Sequence, residues 1–194
     1  MKFSPKIVLV GDAFVGKTSI AIRYRTTYFE SDVSPTIGSS NLYTPIKMPD
    51  GNVIMADIWD TAGEERYRSL TPLYIQNAKI VLLVFDFTRQ HSFNNLQIFI
   101  SLIKDMGSQD AKIIVVGNKC DMKEEIAVSF EDAKEYCDEI HANAFHMTSA
   151  VTGEGINELF LNIGEICSKM VLDAQNFIAK LDDGIVTRTS KRCC

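Results

Sequence analysis

Eight residues limit most of what this chain can fold into. Gly11 to Thr18 reads Gly-Asp-Ala-Phe-Val-Gly-Lys-Thr, the spacing G-x-x-x-x-G-K-T. An apolar run, Ile7 to Val10, precedes it and helix-compatible residues, Ser19 to Tyr24, follow it. Strand, loop and helix in that order are the setting a phosphate-cradling loop requires. Backbone N–H groups of the loop and the start of the helix converge on one point and favour an anion there. Lys17 adds a positive charge for the outer phosphates. Thr18 places a hydroxyl where a magnesium ion bridges phosphate oxygens. By itself the loop specifies a nucleoside phosphate and leaves base and reaction open.

The 194 residues suit one α/β domain with a tail, and 46% hydrophobic residues fill a core. No apolar run is long enough to span a bilayer, and the start, Met1-Lys2-Phe3-Ser4-Pro5, lacks the apolar stretch of a signal peptide. A net charge of −5 argues against general nucleic-acid affinity. Cys120, Cys137 and Cys167 stand singly among apolar or helical residues and read as reduced packing residues. His91, His141 and His146 share no metal-ligand spacing with each other or with a cysteine.

Hydrophobic periodicity lays out the remainder. Asn41 to Met48 and Val53 to Trp59, joined by Pro49-Asp50-Gly51-Asn52, predict a hairpin, with Pro45 confining its first strand to a sheet edge. Ile80 to Phe85 and Ile113 to Val116 are short all-apolar runs, as in parallel strands covered on both faces. Leu96, Phe99, Ile100 and Ile103 recur at helical spacing. Ser129 and Asp132 resemble a capping box, Ala144 to Met147 reads as a last strand, and Ile156 to Met170 carries one apolar helical face. Past about Asp173 that pattern weakens, so 173–194 reads as a mobile tail. Alternating strands and helices after one hairpin predict a mostly parallel sheet with helices on both faces and one antiparallel edge strand. Ligands of such sheets sit at the carboxyl ends of the strands.

Three further motifs fall at those ends. In Asp57-Ile58-Trp59-Asp60-Thr61-Ala62-Gly63-Glu64-Glu65, Asp60 fits the carboxylate that holds magnesium, and Gly63 lets its N–H approach the terminal phosphate. In Asn118-Lys119-Cys120-Asp121, the Asp121 carboxylate can accept from the ring N–H and the exocyclic amine of guanine. Adenine presents the wrong pattern, and each buried mismatch costs roughly 1–3 kcal/mol. In Thr148-Ser149-Ala150, the N–H of Ala150 would donate to the guanine carbonyl oxygen.

With these motifs in this order, residues 5 to 172 resemble the Ras superfamily of small GTPases, and its Rab branch most closely. Trp59 to Gly63, Tyr67 to Thr71, Leu82 to Thr88, Ser92 to Leu96 and Val116 to Asp121 all look like Rab segments. The resemblance implies a P-loop NTPase small G domain over 1–172, with a six-stranded sheet and five helices, cycling between GDP and GTP. It implies phosphate contacts from Ala13, Phe14, Val15, Gly16, Lys17, Thr18, Ser19, Thr36 and Gly63. It implies guanine contacts from Phe29, Asn118, Lys119, Asp121, Ser149, Ala150 and Val151. Thr18, Thr36 and Asp60 would form the Mg2+ site, and Lys17, Gly63 and Glu64 would serve hydrolysis. Residues of about 30–40 and 63–76 would be switches that order on the third phosphate. Ile37, Trp59 and Tyr74 would meet effectors. Cys193 and Cys194 resemble a double-cysteine terminus carrying two geranylgeranyl chains, enough lipid for lasting attachment. The implied partners are an exchange factor, a GTPase-activating protein (GAP), a GDP-dissociation inhibitor, a prenylation escort protein and effectors. The implied location is the cytoplasmic face of an intracellular membrane, with a cytosolic pool.

The chain departs from that family at four places. Glu64 stands where a glutamine normally orients the attacking water. A carboxylate ~4 Å from a phosphate charge is repelled by roughly 4 kcal/mol at an effective dielectric of 20, and when ionised it cannot donate a hydrogen bond. It is also a better proton acceptor than an amide, so the two properties pull hydrolysis in opposite directions. Phe14 occupies a position usually held by a small residue. Asn41 replaces an aromatic used in effector reading, and Val151 replaces a lysine whose stem covers the base. Two readings follow: a switch that hydrolyses GTP slowly, or a scaffold that holds GTP almost permanently. A P-loop kinase fits less well, because no lid or second substrate site is visible.

Overall fold

A computed structural model describes residues 4–189, with side chains through Gln175. The strands are β1 (Lys6–Val10), β2 (Ser39–Lys47), β3 (Val53–Thr61), β4 (Ile80–Asp86), β5 (Lys112–Asn118) and β6 (Ala144–Met147). They form one sheet in the order β2-β3-β1-β4-β5-β6. Only β2 and β3 run antiparallel. Pro45 lies opposite Met55 on β2, an edge strand, where its missing N–H breaks no ladder.

The helices are α1 (Lys17–Thr26), α2 (Thr71–Ile75), α3 (Gln90–Asn94), α4 (Leu96–Met106), α5 (Phe130–Glu139) and α6 (Ile156–Thr189). α3 and α4 abut at Asn95, which keeps right-handed backbone (φ −73, ψ −11), so the six segments make five helical units. The hydroxyl of Ser129 accepts from the backbone N–H of Asp132 at 3.0 Å and caps α5, as its spacing predicts.

Side chains of the central strands alternate between two cores. Ile7, Leu9, Ile80, Leu82 and Val84 face α1 and α6, where Ile20, Leu159, Phe160 and Ile163 cover them. Val8, Val10, Val81, Leu83 and Phe85 face the other side, against Ile75, Leu96, Phe99, Ile100 and Ala133. A strand sandwiched this way has no polar face, which explains the all-apolar runs. Cys137 and Cys167 are buried in these cores, which pushes their thiols up to about 12 and leaves them inert packing groups.

One sequence expectation differs. The apolar face of α6 ends at Met170, and residues 172–175 are exposed, yet the helix continues through Asp182-Asp183-Gly184 to Thr189. The stretch from Asp173 to Thr189 contains no proline, so nothing local interrupts backbone bonding. Cys193 and Cys194 lie outside the described residues.

Candidate functional site

The carboxyl ends of β1, β3 and β5, with the loop before β2 and the loop after β6, surround one cavity of about 340 Å³. The phosphate loop builds its floor. Gly16 there adopts φ 95, and a Cβ would collide with the Asn118 side chain. Only glycine fits that contact, which brings the loop and the base-facing strand together. Lys17 is buried, and its Nζ donates to the carbonyls of Gly11 and Asp12, both at 2.8 Å. Burial pushes its pKa down to about 8, against the pull of the Asp60 and Asp12 carboxylates.

Thr18, Thr36 and Asp60 are far apart in sequence but meet at one point. Thr18 Oγ1 donates to Asp60 Oδ2 at 2.7 Å, Thr36 Oγ1 donates to the same oxygen at 3.1 Å, and the two hydroxyls lie 2.9 Å apart. Asp60 is fully buried and its Oδ1 has no hydrogen-bond partner. Burial raises its carboxyl above the usual range, against the Thr18 bond and the Lys17 charge. Three hard oxygen donors with an orphaned carboxylate oxygen fit magnesium, which takes few protein ligands and completes its shell with water and phosphate. Among the described residues no cluster of three His, Cys, Asp or Glu side chains competes for a metal. Magnesium bound there would neutralise phosphate charge; Thr18, Thr36 and Asp60 would hold it.

The base side is equally built. Asn118 Nδ2 donates to Val15 carbonyl at 2.8 Å, and its Oδ1 accepts from Thr148 Oγ1 at 3.2 Å and the Ala150 N–H at 3.3 Å. Lys119, in left-handed backbone (φ 65), lies 2.6 Å from Asp86. Burial alone would raise the Asp86 carboxyl, but bonds from Lys119 and Thr88 hold it below the usual range. Asp121 lines the cavity with a buried, unpartnered Oδ1. Phe29 and Val151 line it too, each about half exposed.

Most of the residues singled out from sequence therefore share this cavity: Ala13, Phe14, Gly16 to Ser19, Phe29, Thr36, Gly63, Glu64, Asn118, Lys119, Asp121, Ala150 and Val151. Val15 and Ser149 are fully buried behind the wall; Val15 contributes its carbonyl to Asn118, and Ser149 Oγ accepts from the Thr152 N–H at 3.0 Å. Gly63 packs so closely on the backbone of Asp12 and Ala13 that a Cβ has no room. Phe14 adopts φ 65 and leaves its ring 71% exposed. Glu64 Oε2 lies 2.7 Å from Arg66 Nε. Trp59 is half-buried, bonded to Asp57 at 2.9 Å and 6.2 Å from the ring of Tyr74, whereas Ile37 is 78% exposed. Sequence reasoning missed Asp86 and Arg66. Asp86 ends β4, and a carboxylate at a strand tip facing the loop was the available signal.

A parallel sheet with this loop at its centre and one antiparallel edge defines the small G-domain fold. The Ras family profile matches residues 6–169. The chain is 34% identical over 192 residues to "GTP-binding protein ypt2" of Schizosaccharomyces pombe, covering 97% of this chain and 95% of that protein. It is 39% identical over 159 residues to "Ras-related protein Rab-31" of Rattus norvegicus, covering 81% and 80%. It is 38% identical over 171 residues to "Ras-related protein RabJ" of Dictyostelium discoideum, covering 88% and 65%. The chain belongs to the Ras family and is a Rab-type small GTPase.

Proposed function

We propose that this small GTPase is a GTP/GDP switch of intracellular membrane traffic. The observation that carries the reading is the convergence of four separated motifs on one cavity, with an unpaired carboxylate oxygen on Asp121 in its wall and another on the buried Asp60 behind the lining hydroxyls of Thr18 and Thr36. Asp121 takes the donor edge of guanine, and Asn118 locks base platform to phosphate loop. Phe29 and Val151 cover the base, with Lys119 beneath it. Ala13 to Ser19 and Gly63 surround the phosphates, Lys17 pairs with their charge, and Thr18, Thr36 and Asp60 hold Mg2+. Loss of the third phosphate removes what orders Thr36 and the Gly63 segment, so effectors at Ile37, Trp59 and Tyr74 let go.

Residues 1–172 form the G domain and 173–194 the tail, whose Cys193 and Cys194 take two prenyl chains. Among the described residues no helix is long and apolar enough to cross a membrane, and two prenyl chains suffice for lasting attachment. The protein then works at the cytoplasmic face of an intracellular membrane, with a cytosolic pool held by a GDP-dissociation inhibitor. A prenylation escort protein, an exchange factor and a GAP complete the cycle.

One observation favours slow turnover. Arg66 engages one oxygen of the Glu64 carboxylate, Oε2, which restricts how the side chain turns toward an attacking water and leaves only Oε1 free to accept from it. Exposed pairs of this kind contribute only roughly 0–1 kcal/mol, so the pair biases Glu64 without locking it. A chain impaired in this way would act as a scaffold carrying GTP. GTP turnover and GDP release of the purified chain, with and without magnesium, test both readings. Bound GDP after purification supports the cycling switch, and bound GTP supports the scaffold.

A further inference from the structure

The phosphate side and the base side of the cavity are joined by a side chain outside the four motifs. Arg89 follows Thr88 at the exit of β4 in extended backbone (φ −133, ψ 97). Its Nη2 donates to the Ala13 carbonyl at 2.7 Å, and its Nε donates to Asp86 Oδ2 at 3.1 Å. The same carboxylate oxygen holds Lys119 Nζ at 2.6 Å. Asp86 Oδ1 accepts from the N–H and hydroxyl of Thr88, at 2.9 and 2.8 Å. The Asp86 side chain is fully buried, and among the described residues these donors are what compensates it.

We infer that Arg89 is a positioning residue that ties the tip of the phosphate loop to the base-platform lysine through Asp86, and thereby slows nucleotide release. Among the described residues, two side chains from outside the loop donate to its carbonyls. Asn118 grips the Val15 carbonyl at its rear, whereas Arg89 grips Ala13 beside Phe14. Phe14 is where the loop is strained, since φ 65 is disfavoured for a bulky L-residue. The restraint therefore acts where the loop most needs it. The geometry requires a planar fork: a guanidinium donates from two edges at fixed angles, and an ammonium cannot span both acceptors.

The inference rests on the nucleotide seating proposed above. Its test is release of a fluorescent GDP analogue from the full-length chain with magnesium, for Arg89→Lys and Arg89→Ala. Both variants release GDP about tenfold faster than wild type. Lysine fails to rescue, although it keeps the charge, and the preference for GTP over ATP stays unchanged. A merely structural residue would not separate release from base preference in this way. Amide hydrogen exchange over residues 12–15 of the GDP-bound protein gives a second readout and rises in Arg89→Lys. Wild-type release or exchange in Arg89→Lys overturns this inference alone. A wild-type chain that retains no GDP overturns it together with the nucleotide seating.

Discussion

The segments at residues 118–121 and 148–151 and those that carry Thr36 and Gly63 are built to different standards. Asn118, Thr148, Ser149 and Ala150 are all buried, cross-bonded and anchored on β5 and the end of β6. By contrast, no residue from 22 to 43 is buried, and none from 63 to 70. Between α1 and β2, the Thr36 hydroxyl bonds to Thr18 and Asp60, and the Gly38 carbonyl accepts from the Ala62 N–H at 2.8 Å. Segments with few buried contacts open at low free-energy cost. A nucleotide can therefore be held by one half of the site while the other half reports on its phosphates.

The sharpest way to break that contrast is to damage the rigid half. Asp121→Asn removes the acceptor for two guanine donors. At roughly 1–3 kcal/mol per unpaired group, GTP affinity falls by about 100-fold or more while ATP affinity stays the same, as read by competition titration. Equal losses for both nucleotides would place Asp121 outside base selection.

Asp86→Asn comes next. Removing a buried carboxylate strands Lys119 and Arg89, and a fully buried case costs 3–5 kcal/mol. Here the two cations are 32% and 40% exposed, so about 2 kcal/mol is expected in denaturant melts at pH 7. Its folded pKa is depressed, so the wild-type advantage is present above the unfolded value near 3.9 and fades as pH falls through the lower folded value. An advantage that grows in acid contradicts the assigned direction.

On the responsive half, Glu64→Gln should raise single-turnover hydrolysis with a GAP that relies on glutamine by about tenfold or more. Unchanged rates with and without the GAP remove Glu64 as a determinant of that turnover. The smallest effect is Phe14→Gly. Relieving φ 65 recovers roughly 1–2 kcal/mol of local strain, which slows GDP release severalfold, whereas identical off-rates show that the tip is indifferent to its side chain.

What sequence discloses follows the same division. The strands, the hairpin, the capped α5 and the motif loops were legible because each is set by a local pattern: alternation, turn chemistry, or a spacing of glycine and charge. Contacts such as Arg89 with Ala13, or Asp12 against Gly63, were not legible. They depend on which loops the sheet order brings side by side, and no local periodicity encodes that. Phe14 was legible only as an unusual residue at its position, and its positive φ was not, since a side chain that size argues against the conformation the loop imposes. Chain direction past Met170 was also beyond the pattern, because α6 outlasts the apolar face that identifies it.

The account depends most on the division of labour between Asp121 and the phosphate loop. Calorimetric titration of nucleotide-free protein with GTP and with ATP, each with magnesium, tests it directly. The account predicts GTP binding at least about 100-fold tighter than ATP, and equal affinities would contradict it.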